Sequence, residues 1–345
     1  DGDRRLVIPY VLLSQAYTDQ RRYSDALEIL NQGLNAPELI SNTDLIMAKA
    51  QVYFAERDFE QALYQIYLAL YIDPSTETAY QMKIRIAMTR NRPGDAVLTS
   101  EDYLFYYPGS TTAWRLMGEA REAENKDDLA LAAYTQGLNG GGTDADCQAM
   151  LESRAQIYHR QQRYTLALAD YDRLFEITGE RRVQGLRMQE AFAAGQYERA
   201  LDDANVLSGR GVVGEGILNL VRGASMVEQA RSDDGAELQQ AASYLNQALV
   251  TNEIGTTNLR GTANEYLARA QLALGDEQAA LDAIDLALDI SETGSRHYWR
   301  GRIFEALGDD PGAISDYEWV LAWSEIFPYP FRVDAQDRLE SLRQN

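Results

Sequence analysis

One small side chain returns at a nearly constant interval along the chain. Ala26, Ala62, Ala96, Ala130, Ala167, Ala200, Ala241, Ala280 and Ala313 each follow a turn and lead into an apolar helical stripe. The steps between them are 36, 34, 34, 37, 33, 41, 39 and 33 residues. Such a period predicts helical hairpins stacked in a row, each burying its apolar faces against its neighbours. A globular enzyme core has no reason to repeat in this way.

The second unit shows the pattern most plainly. Ile46, Ala50 and Tyr53 follow helical spacing, Glu56-Arg57-Asp58 makes a polar turn, and Phe59, Ala62, Ile66 and Ala69 form a second stripe ended by Pro74. Apolar residues at these intervals share one helical face, and proline cannot continue the helix. In the fourth unit Trp114, Met117 and Gly118 open the first helix, and Ala130, Tyr134 and Gly137 mark the second. Related residues recur as Tyr17, Tyr23 and Gly33, as Pro108, as Ala155, Tyr158, Tyr164 and Tyr171, and as Gly195 and Tyr197. Later come Ala268, Gly275, Ile284 and Ala287, then Gly301, Phe304, Gly308 and Tyr317.

These residues match W-x2-L-G-x2-Y followed by A-x3-F and P, so the chain resembles the tetratricopeptide repeat family over almost its whole length, in about nine units. The resemblance implies an all-α fold, a right-handed superhelical solenoid of antiparallel helix hairpins. Units one to six are expected over 1–207 and units seven to nine over 217–327. Between them, residues 208–216 carry Gly209, Gly211, Gly214 and Gly216, which favour turns and suit a hinge or a passive long loop. The long steps bracket unit seven, where Gly223 and Ala241 stand further apart and a Ser-Asp-Asp-Gly turn fills Arg231 to Ala236. In unit three Arg92-Pro93-Gly94 predicts an early stop to the first helix. Residues 328–345 read as a capping helix with Ala335, Leu339 and Leu342 on one face. The six residues before the first stripe show no helix, so that end either continues upstream or is covered by something else.

Charge narrows the function. With 53 acidic against 32 basic residues the net charge is −21. A nucleic-acid partner is excluded on that balance, since such binding draws on neutralised phosphates and no Lys/Arg run supplies a basic face. Lysine occurs only at Lys49, Lys83 and Lys126. No apolar run is long enough for direct membrane insertion of this segment. The first residue is not Met, which leads to the expectation of a piece of a longer protein, and leaves its compartment open. The single Cys147 lies after Gly140, Gly141 and Gly142 and is expected to be an exposed thiol.

Catalytic or metal-binding spacing is absent around His159 and His297, and no Gly-rich phosphate loop follows a strand. No cofactor is expected, and the acidic pairs read as solvated helix faces. The resemblance implies instead that the first helix of each hairpin lines a concave groove for a protein or peptide partner. By spacing the groove candidates are Gln51, Phe54, Arg85, Met88, Arg115, Glu119, Glu122, Gln156, His159, Gln189, Phe192, Arg269, Arg302 and Glu305. Gln, Arg, Met and aromatic side chains suit an extended peptide. Arg85 with Arg115, and Arg269 with Arg302, are expected as neighbours that either hold a carboxylate or pair with Glu119, Glu122, Glu265 or Glu305. Pairs such as Met47/Gln51 and Gln81/Arg85 stand where some family members carry a Lys/Asn carboxylate clamp, so that activity does not transfer. A second surface, Tyr64, Tyr67, Tyr71, Leu98 and Phe105, lies outward beside Tyr106 and Tyr107 and suits docking or homo-oligomer formation. The expected function is a non-catalytic scaffold; the alternatives are a self-associating module or the sensor or adaptor arm of a larger membrane-anchored or signalling protein.

Overall fold

A computed structural model describes residues 2–141, 143–231 and 235–344. Among the described residues helices joined by short turns and loops make up the structure, with no strand, and the chain divides into two compact units, Asp1–Ile157 and Tyr158–Asn345. The first holds helices α1 (Gly2–Asp19), α2 (Tyr23–Leu34), α3 (Thr43–Glu56), α4 (Phe59–Ile72), α5 (Glu77–Thr89), α6 (Pro93–Tyr106), α7 (Thr111–Ala123) and α8 (Asp127–Leu138). The division falls inside α9 (Ala145–Arg160). The second holds α10 (Tyr164–Thr178), α11 (Arg181–Ala193), α12 (Tyr197–Leu207), α13 (Glu215–Gln229), α14 (Gly235–Val250), α15 (Thr257–Leu274), α16 (Glu277–Ile290), α17 (Gly294–Leu307), α18 (Asp310–Trp323) and α19 (Arg332–Gln344).

Consecutive helices pack as hairpins: α1 on α2, α3 on α4, α5 on α6 and α7 on α8 in the first unit. In the second the pairs are α11 on α12, α13 on α14, α15 on α16 and α17 on α18, with α19 laid on α18. The reason is visible in the recurring alanines, all nine of which are 0% exposed. Eight stand at the fourth residue of the second helix of their hairpin; Ala241 alone stands at the seventh, because α14 begins a turn earlier. That extra turn accounts for part of the long step. The Ser232–Asp234 part of the predicted turn, and Gly142, lie outside the described residues.

Five residues before each of those eight alanines the backbone turns left-handed. The residues there are Arg21, Arg57, Asn91, Asn125, Gln162, Gly195, Gly275 and Gly308, with φ between 55° and 78°. Only glycine adopts this conformation without cost; other L-residues lose roughly 1–2 kcal/mol, asparagine less. Gly275 has open space around its absent Cβ, so Gly275→Ala tests the backbone alone. It is expected to destabilise by about 1 kcal/mol. Arg57→Gly should gain about 0.5–1 kcal/mol, the relief being partly offset by the freer unfolded chain. Urea denaturation midpoints of the two variants, shifting in opposite directions, check the pair.

Several expectations are corrected. The N-terminal residues do contain helix: α1 begins at Gly2, runs through Pro9, and buries Val7 against α2 and α3, a tertiary contact that outweighs the short sequence signal. The first helix of unit three does not stop early: α5 is 13 residues, as is α7. Pro93 instead becomes the first residue of α6, where its missing N–H costs nothing. Cys147 is fully buried rather than exposed, with its N–H donating to Asp144 Oδ1 at 2.8 Å. Within residues 208–216, Gly209 and Gly211 have positive φ, while Gly214 and Gly216 sit against the backbone around Glu253 and Ile254. The Glu215 N–H donates to Glu253 Oε2 at 3.0 Å. In α19 Ala335 and Leu339 are buried as the predicted stripe requires.

Candidate functional site

The candidate groove residues all lie on first helices, but the structure sorts them into separate neighbourhoods. In the first unit Gln51, Arg85, Met88, Arg115 and Glu119 line one depression of about 430 Å³ across α3, α5 and α7. Its walls also include Thr78, Gln81 and Thr112. Arg85 is exposed, and its guanidinium lies 4.4 Å from the Phe54 ring centre. Such stacking holds the cation in place while leaving its donors turned to solvent. Among the described residues it makes no ion pair.

Arg115 differs. It donates from Nε to Asp146 Oδ1 at 2.6 Å and pairs with Glu119, so its charge is used within the groove. Burial works against its positive charge, and the two carboxylates outweigh that and hold it more firmly protonated. The expected Arg85–Arg115 neighbourhood therefore contains one uncommitted guanidinium, not two. Glu122 turns into its own hairpin and accepts from the Tyr134 hydroxyl at 2.7 Å.

In the second unit His159 and Gln189 are exposed, as is Gln156 in the first. His159 Nδ1 lies 2.7 Å from Glu190 Oε1, whose other oxygen has no partner although it is buried. Burial raises the Glu190 carboxyl above its ordinary range, against the lowering effect of His159. Phe192 packs on Tyr197 and Tyr266. Arg269 and Arg302 do line one cavity, of about 810 Å³, together with Glu305 and Trp299. Arg269, however, pairs with none of the four expected glutamates. It donates to Glu228 at 2.8 Å, and its guanidinium lies 4.6 Å from the centres of both the Tyr266 and Trp299 rings. Tyr266 donates to the same carboxylate at 2.9 Å. Arg302 sits 5.8 Å from the Trp299 ring and 3.8 Å from Glu305.

Sequence reasoning missed Glu228, Tyr266, Trp299 and Arg338. Tyr266 and Trp299 lie three residues before Arg269 and Arg302 on the same helical faces, so the spacing that selected the arginines also reached them. Glu228 and Arg338 come from other helices and carried no such signal. The predicted solvated acidic faces also need correction, because Asp203, Asp316 and Glu190 are buried. Asp316 accepts from Arg300 Nε at 2.8 Å and faces His297 Nδ1 at 2.7 Å. Arg187 and Gln184 hold Asp203 in the same way. These are structural ion pairs of the hairpins, each burying a charge only because a partner comes with it.

Tyr64, Tyr67 and Tyr71 on α4 and Leu98 and Phe105 on α6 are between 54% and 87% exposed. Tyr67 and Leu98 line a depression of about 330 Å³, with Lys83 Nζ 5.4 Å from the Tyr67 ring. Phe105 packs edge-on to Tyr106. Among the described residues no group of three or more His, Cys, Asp or Glu could hold a metal ion, and no helix is long and apolar enough to cross a membrane.

Comparison with known proteins bears on this arrangement. The tetratricopeptide repeat family model matches residues 234–295. No curated protein matches the chain. Among solved structures, the APC/C hetero-tetramer Cut9–Hcn1 is similar at 17% identity and a TM-score of 0.50, over 92% of this chain and 59% of that one. This chain thus spans less than two thirds of that protein's length. A tetratricopeptide repeat protein from Parabacteroides merdae matches at 16% identity and a TM-score of 0.40, over 88% of this chain and 99% of that one. PilF of Pseudomonas aeruginosa matches at 17% identity and a TM-score of 0.47, over 61% of this chain and 94% of that one. The first of these likenesses shows a shared solenoid fold of helix hairpins.

Proposed function

We propose that this row of helix hairpins, whose residues 234–295 match the tetratricopeptide repeat family model, is a non-catalytic scaffold that holds an extended peptide of a protein partner against its first helices. The observation that carries this reading is the depression across α3, α5 and α7. It offers amide side chains (Gln51, Gln81), an apolar seat (Met88) and the uncommitted Arg85 guanidinium on one continuous wall. A peptide backbone needs hydrogen bonds along its length and a few apolar seats to fix its register. Rigid helices keep these groups in place before binding, which lowers the ordering cost.

Arg85→Glu combined with Met88→Asp is expected to weaken capture of a groove-bound partner by at least about tenfold. Both side chains reach solvent, so the variant should keep the wild-type circular dichroism spectrum. Partner affinity unchanged by this double substitution would remove the groove from consideration. The exposed aromatic patch on α4 and α6 supports self-association as the second reading. Light scattering at high concentration separates it, because a strict monomer excludes that use of the patch.

A further inference from the structure

No residue of α4 from Gln61 to Ile72 is charged, although charged residues make up 25% of the chain. The outward positions of that helix are Tyr64, Tyr67 and Tyr71, and Leu98 and Phe105 of α6 are exposed on the same side, Leu98 sharing a depression with Tyr67. We propose that a second copy of this chain covers the face, in a two-fold dimer that sets Lys83 of each copy against Asp102 of the other. This dimer rests on the self-association reading and adds to it a symmetry and a pair of contacts.

Helix α16 shows that a hairpin does not need the tyrosines. Ala62, Leu63, Ile66, Ala69 and Leu70 of α4 recur there in register as Ala280, Leu281, Ile284, Ala287 and Leu288. At the places of Tyr64, Tyr67 and Tyr71, α16 carries Asp282, Asp285 and Asp289, all exposed. The inward stripe is the same in both helices, and the outward trio differs. Aromatic side chains in place of charges mark the core of a protein interface. The area agrees. At about 200 Å² for a whole aromatic residue, the exposed parts of the three tyrosines, Leu98, Phe105 and Tyr106 total on the order of 800 Å². That exceeds the apolar patch of an ordinary monomer and matches the roughly 800 Å² that each partner of a standard interface buries.

Charge selects the occupant and its orientation. Around the patch Arg90 pairs with Glu60 at 3.0 Å, Arg92 with Asp95 at 2.8 Å, and Glu101 with Arg121 at 3.6 Å. Lys83 and Asp102 make no ion pair among the described residues; the Lys83 ammonium only overlies the Tyr67 ring at 5.4 Å. One unpaired cation and one unpaired anion on a single apolar face complement a two-fold copy of that face, in which each meets its opposite twice. Two chains of net charge −21 repel each other over most of their surfaces, and the uncharged length of α4 lacks that barrier.

Sedimentation velocity of the whole chain over a concentration series tests the dimer, whose expected dissociation constant is micromolar or tighter. Tyr67→Asp with Tyr71→Asp places on α4 what α16 already carries, so the hairpin should stay folded, as circular dichroism melting will show. The pair should weaken the dimer at least about a hundredfold. Lys83→Asp alone should weaken it about tenfold, because two attractive contacts become repulsive. Adding Asp102→Lys to Lys83→Asp should restore the dimer to within about threefold of wild type, since the exchanged charges meet again across the two-fold axis. A dimer that responds to the tyrosine substitutions but is not restored by the charge exchange overturns the proposed two-fold arrangement and leaves self-association through the patch standing. A dimer indifferent to the tyrosine substitutions places the contact elsewhere and overturns the proposal. A chain that stays monomeric up to about 100 µM removes both the dimer and the self-association reading.

Discussion

Gly118→Ala is expected to destabilise the fourth hairpin by about 3 kcal/mol, near the upper end of what overpacking costs. A Cβ at this position would lie 2.1 Å from Tyr134 Cε1 and 2.5 Å from Cδ1. The ring has no easy retreat. Tyr134 is 0% exposed, and its hydroxyl is tied to Glu122 at 2.7 Å on the same helix that carries Gly118. Burial and the neighbouring carboxylate both raise the Tyr134 pKa, so the phenol stays protonated and keeps donating. Urea denaturation followed by circular dichroism reads the loss. The double variant Gly118→Ala with Tyr134→Leu should recover at least about 1 kcal/mol of coupling relative to the summed single variants, because the smaller side chain admits the methyl group. Additive single effects would show that the glycine serves something other than this contact.

Asp316→Ala is expected to cost about 3–5 kcal/mol, the range found when one member of a buried charge cluster is removed. The Asp316 side chain is 3% exposed and is held by the Arg300 fork and by His297, whose ring stacks on Trp319 at 3.9 Å. Its loss leaves the buried His297 imidazole without its carboxylate and leaves Arg300 with only Asp285, at 3.2 Å on the surface. The pH dependence has a definite sign. Burial pushes the Asp316 pKa up, but Arg300 and His297 outweigh it and hold the carboxyl below its ordinary 3.8. A carboxylate with a depressed folded-state pKa contributes stability that is present above its unfolded value and lost as pH falls through the folded one. Wild-type stability should therefore decline in acid below about pH 4, and an Asp316→Asn variant should show a shallower decline over that window. Identical acid limbs for the two proteins would contradict this assignment.

These two sites differ in how far the sequence revealed them. Gly118 was visible because a small residue at a fixed offset from Trp114 and Ala130 belongs to the repeat itself. Tyr134, four residues after Ala130, belongs to it too. The Asp316 cluster was not visible, because Asp316, Arg300 and His297 look like ordinary polar positions of amphipathic helices. Which polar residue faces inward is decided by the partner helix, and a single-helix pattern does not contain that partner. The same limit applies to the arginine cavity: spacing on α15 and α17 located Arg269 and Arg302, while Glu228 and Arg338 arrive from α13 and α19. The left-handed turns escaped for another reason. Gly195, Gly275, Gly308, Asn91 and Asn125 are the residue types that favour this conformation, but Arg21, Arg57 and Gln162 are not, so composition alone did not reveal that all eight turns share it.

Those turns also separate two properties that usually change together. Arg21, Arg57, Asn91, Asn125 and Gln162 are all exposed, stand one to a hairpin, and line none of the depressions described above. Substitutions at independent sites add, so relieving all five would gain on the order of 3 kcal/mol. Heat tolerance of the array can thus be adjusted residue by residue at its elbows, while the walls that choose a partner evolve on their own schedule.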